Sequence, residues 1–281
     1  MSLLNRVLGA FAILACVPAA RGLLAQDTRN HLYDKWQFTA AGALVIFGSE
    51  MRIDGPNGNG TDIQIEDDLG LAKEKFQGRF AGRFRIGHRS ELELGYLLAR
   101  RNQEKTITRD LVFADTTFTA GLSIKSVFNS DNLFLAYRYA FIAKEKTQIG
   151  AGIGLGAIFF KTSIEAVAGI GGATASYARE RSLTGPTGSL GLFGRFRVGD
   201  DWYIESEARA IWIGIDRFDA YVLDANAAIR WFPWNSWGFE AGYTYNGVRL
   251  DVSQVETRPN SLSGRIKYHF QNVRLGVIFT P

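Results

Sequence analysis

The sequence predicts an all-β protein in which residues 26–281 form an antiparallel transmembrane β-barrel of about ten strands, with eight or twelve strands as alternatives. Apolar and polar residues alternate with period two in segment after segment, and a strand sends successive side chains to opposite faces. Tight and long connections also alternate along the chain. Outside the N-terminus no apolar run reaches the roughly 18–20 residues of a spanning helix, so strands would have to cross the membrane and close on themselves.

Residues 1–25 are predicted to be a signal peptide for Sec-dependent export. A short cationic start precedes the apolar run Val7–Val17, and proline and small residues follow, which is the order of regions in a secretory signal. Cleavage is expected after Ala25, with Ala20 and Gly22 as alternatives. The mature chain would therefore leave the cytoplasm.

Composition and charge exclude several kinds of function. The formal charge is +4, and the leader contributes Arg6 and Arg21 with no acidic residue. The rest of the chain is too balanced in charge, and has no basic run, to predict nucleic-acid binding. Cys16 is the one cysteine and lies in the leader, so we expect neither disulfides nor thiolate metal sites.

The clearest strand pair is Phe76–Leu98. Its first arm alternates phenylalanine and glycine with arginine, and its second arm alternates leucine with glutamate. A turn at His88–Ser90 would place Arg85 opposite Glu93, so that charges face charges across the pair.

The pair formed by Gly188–Val198 and Trp202–Trp212 repeats this arrangement. Arginines again follow one arm and glutamates the next, and the predicted register sets Arg195 opposite Glu205. The repeat indicates one architecture along the chain.

Two long strands, 91–113 and 117–142, are predicted to form an extended hairpin with Phe113 opposite Thr117. Four short strands are the alternative, which would raise the total to twelve. Two strands are preferred because tight and long connections then alternate strictly, as in barrels with short turns at one end.

The strand Gln148–Phe160 carries glycine at every second position of one face. A row of strand glycines makes room for a bulky group from a neighbouring strand, and the predicted register sets Arg138 opposite Gly152. A nucleotide-binding GxGxxG motif is excluded because the spacing differs and no helix start follows.

The remaining chain divides into shorter strands and loops. Strands are expected at Trp36–Phe47, Ala220–Phe232 and Trp237–Asn246, with a last strand ending at Phe279. Long loops are expected at Gly48–Lys75, Lys161–Pro186, Ile213–Asp219 and Gly247–Asn260. In the last strand the alternation slips near Gln271 and Asn272, which predicts a bulge and directs His269 into the lumen.

The apolar face of each strand is predicted to meet lipid and the charged face to line the lumen. A soluble β-sandwich with buried apolar faces is the alternative. Because interior charges in a narrow barrel need partners, we expect an ion-pair lattice. Its predicted members are Arg79, Arg83, Arg85, Glu91, Glu93, Arg138, Arg195, Arg197, Glu205, Glu207, Arg209, Arg230 and Glu240. The same charged faces carry Asp224, Arg265, Lys267 and Arg274.

Large aromatic residues are predicted to form an aromatic girdle where the wall meets the membrane surfaces, since tryptophan and tyrosine prefer that level. Its predicted members are Trp36, Trp202, Trp212, Trp231, Trp237, Tyr243 and Tyr245.

Four segments resemble bacterial outer-membrane β-barrel proteins, many of which have no characterised function. They are TDIQIEDDLGL, HRSELELGYLL, LDANAAIRWFPWNSWGFEAGYTY and RIKYHFQNVRLGVIF. The resemblance implies a location in the bacterial outer membrane, with short turns in the periplasm and long loops outside. It also implies a monomer surrounded by outer-membrane lipid and lipopolysaccharide, inserted by the barrel-assembly machinery.

The sequence favours a structural, surface-interaction or minor-pore role. The alternative is an outer-membrane enzyme, either lipid A-modifying or protease-like. A serine hydrolase needs a histidine near a serine and an acid, and the mature chain offers only His31, His88 and His269, none in a fitting context. The acidic segment 61–71 lacks the calcium-loop spacing and is expected to be a solvated loop. No catalytic, cofactor-binding or metal-ligating residue is predicted.

Overall fold

A computed structural model describes residues 29–54, 60–113, 116–170, 173–215, 218–252 and 263–281. The predicted leader, residues 1–25, lies outside them. The described residues form a single 3-10 turn, His31–Tyr33, and the strands β1 (Trp36–Ile53), β2 (Asp62–Gln64), β3 (Glu74–Arg85), β4 (Ser90–Leu97), β5 (Arg100–Thr106), β6 (Leu111–Phe113), β7 (Thr116–Phe118), β8 (Ser123–Lys144), β9 (Thr147–Ile170), β10 (Ala173–Arg197), β11 (Trp202–Ile215), β12 (Phe218–Trp231), β13 (Trp237–Val252) and β14 (Gly264–Phe279). Among them, no helix combines the length and apolar character needed to cross a membrane.

Ten of these strands close into a barrel, which confirms the predicted fold class. In chain order β1, β3, β4 and β8 to β14 each pair antiparallel with the next, and β14 returns to β1. The closing register runs from Phe38–Phe279 to Ile53–Gly264. Four tight connections define one end of the barrel, here the turn end, and the longer segments define the loop end.

The middle of the chain forms one long hairpin of the barrel. β4 and β5 both pair with β8 in a single register, from Ser90–Tyr139 to Thr106–Ser123. β6 and β7 form a separate two-stranded sheet, where Phe113 pairs with Thr116 instead of the predicted Thr117. The barrel therefore keeps ten strands.

Two predicted loops are wrong, because the structure places strands there. Lys161–Pro186 belongs to the hairpin of β9 and β10, and most of Ile213–Asp219 belongs to the ends of β11 and β12. In β9 the apolar side chains before Phe160 are at odd-numbered positions and are exposed on the outside. From Phe160 onward they are at even-numbered positions and are buried inside. The strand continues while its apolar face switches sides, and the sequence pattern alone indicates an interruption.

The first hairpin has a register two residues from the predicted one. Arg85 pairs with Glu91 and not with Glu93, because the turn closes on the carbonyl of Ser90. A shift of two residues keeps every side chain on its own face, so the charges still point into the lumen. The other two predicted pairs, Arg195–Glu205 and Arg138–Gly152, are observed.

β14 contains no bulge. Its registers with β1 and β13 run unbroken along its length, so the slip predicted near Gln271 and Asn272 is wrong. His269 is exposed on the outside of the wall, and Phe270 is buried inside. The apparent slip arises because the apolar side chains of Ile266 and Phe270 point inward at the loop end, whereas those nearer the turn end point outward.

The outside of the wall carries an apolar belt, in which Phe76 and Leu155 are each 72% exposed. Inside the belt the side chains are mostly charged. Toward the loop end the arrangement reverses, with charged residues outside and an apolar cap inside. The apolar cap consists of Met51, Ile53, Ile63, Ile65, Leu69, Leu71, Ile107, Leu111, Phe113, Phe118, Ile124, Phe128, Phe160, Ile164, Ala166 and Ile266.

Candidate functional site: the charged lumen

Strand alternation brings charged side chains from eight strands into the lumen at the level of the apolar belt. Eight arginines meet six carboxylates there: Arg79, Arg83, Arg85, Arg138, Arg195, Arg209, Arg230 and Arg274 with Glu91, Glu93, Glu205, Glu207, Asp224 and Glu240. The excess of two positive charges makes the lumen mildly basic.

Arg138 lies at the centre of the ion-pair lattice and is 1% exposed. Its Nη1 lies 2.5 Å from Oε2 of Glu93, and its Nη2 donates to Oε2 of Glu207 at 2.6 Å. Gly152 lies opposite it, where a Cβ would come within 3.1 Å of the arginine Cγ. The glycine leaves the arginine room to span the lumen between β4 and β11.

The lattice continues through carboxylates that serve two arginines each. Glu205 lies 2.8 Å from Arg83 and 2.5 Å from Arg230, and Glu240 lies 2.8 Å from Arg230 and 2.6 Å from Arg274. The charged groups therefore form one network, in which removal of any member exposes its partners to a medium that solvates charge poorly.

Gln37 of β1 is a lattice member that the sequence interpretation missed. Its Oε1 accepts from Arg83 at 3.0 Å and from Arg230 at 2.9 Å, and the residue is 4% exposed. The available signal was its position between the outward Trp36 and Phe38, which alternation turns inward.

Some predicted lumen residues lie elsewhere. Arg197 donates to the carbonyls of Gly199 and Asp200, so it belongs to a connection at the turn end. Arg265 and Lys267 have 42% exposed side chains and pair with Asp251 and Glu50 outside the wall. They lie near the loop end, where outward side chains meet water.

The space left in the lattice is small. A cavity of about 10 Å³ lies between Gln37, Arg83, Glu205 and Arg230, which is room for about one water molecule. A second cavity, of about 60 Å³, borders Arg79, Arg209 and Asp224 toward the loop end. The lattice therefore occupies most of the lumen around Arg83 and Glu205.

The segment before β1 covers the turn end of the lattice. The carbonyl of Leu32 accepts from Arg85 at 2.5 Å and from Gln148 at 3.1 Å. The ring of His31 stacks on Phe232 with centroids 3.8 Å apart, and its Nδ1 lies 2.8 Å from Asp34. The sequence interpretation treated this segment as a short stretch before the first strand and missed that it closes the turn end of the lumen. Residues 29–35 are called the floor below.

The apolar cap closes the loop end from inside. Residues 61–71 were expected to be a solvated loop, but Ile63, Ile65, Leu69 and Leu71 are buried in the cap. The expectation was wrong because the acidic residues of this segment alternate with inward apolar ones.

A buried ion pair anchors this segment to the wall. Arg101 donates to Glu66 at 2.6 Å, and Glu66 accepts from the backbone amide of Ser49 at 2.8 Å. The Arg101 guanidinium also lies 4.0 Å from the centroid of the Phe47 ring, a cation–π distance. The contacts join β1, β5 and segment 61–71.

The residues predicted to form the aromatic girdle do not all lie at one level of the barrel. Trp36, Trp202, Trp231 and Trp237 lie at the turn end, where the Trp202 and Trp231 rings are 5.7 Å apart and Trp237 packs on Phe279 at 4.7 Å. Tyr243 and Tyr245 lie farther along β13, with Tyr243 46% exposed. The side chain of Trp212 lies outside the described part of the structure.

The histidines provide no catalytic arrangement in the described structure. His31 belongs to the floor, His88 stacks on Tyr33 with centroids 4.8 Å apart, and His269 lies outside the wall beside Gly48. Among the described residues, no group of three His, Cys, Asp or Glu side chains is placed to hold a metal ion.

No protein-family model and no curated protein sequence matches the chain. Among solved structures, it is similar to the outer membrane protease OmpT from Escherichia coli, with a TM-score of 0.55 and 9% identity over 88% of this chain and 96% of that one. The fold is that of a bacterial outer-membrane β-barrel. The translocator domain of the autotransporter NalP from Neisseria meningitidis gives a TM-score of 0.49 and 11% identity over 99% of this chain and 94% of that one. At these identities the likeness concerns the fold of the barrel.

Proposed function

We propose that the protein is a monomeric outer-membrane barrel with a closed lumen, which has a structural and surface-interaction role. Sec export through residues 1–25 and insertion by the barrel-assembly machinery would bring it there. The turn end would then face the periplasm and the loop end the cell exterior. The ion-pair lattice is the observation that carries this proposal.

Three layers support a closed lumen. The floor lies under Arg85, the lattice fills the level of the apolar belt, and the apolar cap closes the loop end. Buried charges held by two partners each are costly to separate. A resting pore would need an aqueous path past all three layers.

The loop end offers a surface for lipopolysaccharide. Arg249, Arg265 and Lys267 are each 42% or more exposed in their side chains and lie on the outside of β13 and β14. Exposed cations bind phosphate groups as point charges or bidentate donors. We therefore propose these side chains as contacts for lipopolysaccharide phosphates.

Planar-bilayer recording of the purified full chain tests the proposal. The wild type should give no stable single-channel steps, and Glu240→Gln with Arg274→Gln should give steps because the network is opened. Stable anion-selective currents from the wild type would instead support the minor-pore function.

The enzyme alternative has its own test. Overexpression should leave the mass of lipid A unchanged, and the purified barrel should leave basic peptides uncleaved. A reproducible lipid A mass shift or peptide cleavage that tracks the folded protein would replace the structural role with a catalytic one.

A further inference from the structure

Arg79 differs from the other arginines of the ion-pair lattice. The other seven each have a carboxylate oxygen within 3.1 Å, whereas the closest one to Arg79, Oε1 of Glu93, lies 3.9 Å from its Nη2. Arg79 also has no hydrogen-bond partner among the described residues. Since the lattice contains more arginines than carboxylates, Arg79 is the member whose positive charge is least compensated.

Arg79 borders the larger of the two cavities described above, which has a volume of about 60 Å³ and is called the mid-lumen cavity below. Leu97, Tyr268 and Phe270 also line this cavity, and Tyr268 packs against the apolar cap. The mid-lumen cavity therefore lies between the lattice and the apolar cap. At 10–15 Å³ for each water molecule, it has room for about four to six waters or for one small ion.

The described lining of the mid-lumen cavity has one uncompensated positive charge. Its charged residues are Arg79, Arg209 and Asp224. Asp224 is already engaged through both oxygens, because Oδ1 lies 3.0 Å from Arg209 and Oδ2 accepts from Asn246 at 3.3 Å. Arg79 thus remains without a counter-charge in an interior where an unpaired charge is costly.

Two asparagines supply uncommitted amide groups to the same cavity. Asn132 and Asn272 both line it, and neither side chain forms a hydrogen bond with the described residues. The Oδ1 atom of Asn132 is buried without a partner. Each amide has two N–H donors, and neither has an existing hydrogen bond to break when it presents them to a ligand.

A hydroxyl group provides a further donor. Oγ1 of Thr244, another lining residue, accepts from Nη1 of Arg274 at 2.6 Å. The hydroxyl hydrogen is therefore left to donate, and the bond from a cation makes the hydroxyl a stronger donor. Arg274 itself is held by Glu240 at 2.6 Å, so this arrangement is fixed from behind.

Charge and size together indicate the class of ligand. The donors come from β3, β8, β13 and β14, and the charge that they surround is a single positive one. A monovalent anion would balance that charge, whereas a doubly charged phosphate would leave one negative charge unpaired in the interior. The small volume favours an ion of one atom, with the remaining space taken by water.

We propose that the mid-lumen cavity binds one halide ion of the chloride class, held by Arg79 and by the donors of Asn132, Thr244 and Asn272. The ion completes the charge balance of the lattice. In a closed lumen it is enclosed while the barrel folds. The inference goes beyond the proposed structural role, and because the cavity would also be present in a conducting lumen, it does not depend on the outcome of the bilayer recordings.

Bromide provides a direct probe of the site. The full chain is refolded and crystallised in detergent with sodium bromide, and the bromide positions are located by anomalous scattering. A peak is expected in the mid-lumen cavity beside Arg79. Only water density in the cavity, with bromide confined to the outer surface, would overturn the proposal.

Stability in solution tests whether the ion binds outside a crystal. Urea unfolding in detergent is followed while bromide is varied over a hundredfold range. Ionic strength is kept constant with sodium gluconate, whose polyhydroxy chain exceeds the volume of the cavity. A ligand that binds only the folded state raises the folded-to-unfolded ratio in proportion to its concentration once its Kd is exceeded. The ratio should rise at least tenfold over the range, and a change below twofold would contradict the site.

Arg79→Met and Arg85→Met form the matched pair of variants. Arg79→Met should abolish the bromide dependence and the anomalous peak. Arg85→Met removes an arginine at the turn end that donates to the carbonyls of Leu32 and His88, so it should retain both. Heat-modifiable gel migration verifies that each variant folds. The same bromide dependence in the two variants would show that the ion acts on the lattice in general, and the proposal would be wrong.

Asn132→Asp keeps the test decisive if Arg79→Met does not fold. This substitution preserves the shape of the side chain and adds a carboxylate to the cavity lining, so that the protein itself supplies the missing negative charge. Its folded-to-unfolded ratio should no longer depend on bromide and should change less than twofold over the range. A full bromide dependence in Asn132→Asp, or an anomalous peak of unchanged height, would refute the proposal.

Discussion

The turn-end half and the loop-end half of the barrel are built from the same strands with opposite chemistry. In β1, Phe38 points outward at one end and Glu50 points outward at the other, while Gln37 and Met51 are both buried inside. The phase of the strand never changes. What changes is the medium outside the wall, which is lipid beside one half and water beside the other.

This difference explains how each half is closed. Where lipid covers the outside, the interior can hold charge only as a network of ion pairs around Arg138. Where water covers the outside, an ordinary apolar core forms inside, as in a soluble sheet protein. The boundary between them contains a cavity of about 60 Å³, which is lined by polar residues such as Asn132 and Asn246 and by the aromatic ring of Phe134.

The largest expected effect comes from breaking the lattice at its centre. Arg138→Met leaves Glu93 and Glu207 without their nearest cation, and loss of one partner of a buried ion pair costs about 3–5 kcal/mol. Urea unfolding in vesicles, followed by heat-modifiable migration, measures the change in the free energy of unfolding. The control is Arg100→Met, because Arg100 has a 61% exposed side chain 2.6 Å from Asp131 and such pairs contribute about 0–1 kcal/mol. Equal losses in both variants would contradict a special role for the lattice.

A smaller and more local effect is expected in the apolar cap. Ile65→Ala removes a side chain that is fully buried, and such truncations cost about 2–5 kcal/mol. The loss should appear as faster protease cleavage at the loop end of intact vesicles, with the barrel still heat-modifiable. Leu94→Ala on the lipid face, where the side chain is 54% exposed, should leave the cleavage rate unchanged. A cap that stays resistant in Ile65→Ala would show that other contacts hold it closed.

The smallest effect concerns the pH dependence of the cap. Burial raises the pKa of Asp68, but hydrogen bonds from Arg109 and from the backbone amide of Gln64 lower the pKa overall. A carboxyl whose pKa is lowered by folding stabilises the fold above its unfolded value of about 3.9 and loses this contribution as pH falls through the folded pKa. Protease cleavage of the cap should therefore accelerate as pH falls below about 4.

Arg109→Met provides the comparison for this pH dependence. The variant should be cleaved slightly faster than the wild type at neutral pH, and the two rates should converge in acid. Because the pair is partly exposed, the difference should stay within about 1 kcal/mol. Parallel rate profiles across the pH range would exclude Asp68 as the responsible group.

Much of the fold could be predicted because alternation is local. The hairpins around Arg85 and Arg195 carry their two faces in consecutive residues, and tight turns fix which arms are adjacent. The register of the first hairpin was off by two because turn geometry depends on which carbonyl closes it. The error left the lattice residues on the correct face.

The candidate site was harder to predict in full. Arg265 and Lys267 were assigned to the lumen together with Arg274, yet in the unbroken β14 they alternate with the inward Ile266 and therefore point outward. Their charges are tolerated there because this part of β14 lies beyond the apolar belt. Gln37 and Leu32 join the closure of the lumen through a polar amide and a backbone carbonyl, which no charge pattern reveals.

The sequence by itself determined the ten-strand antiparallel barrel, its alternating faces and the residue types that pair inside it, because these follow from period-two alternation and the order of turns. Only the tertiary structure decided that the loop-end interior is apolar and that segments 29–35 and 61–71 fold into the barrel ends. Each of these depends on contacts between residues far apart in the chain and on the medium that each side of the wall meets.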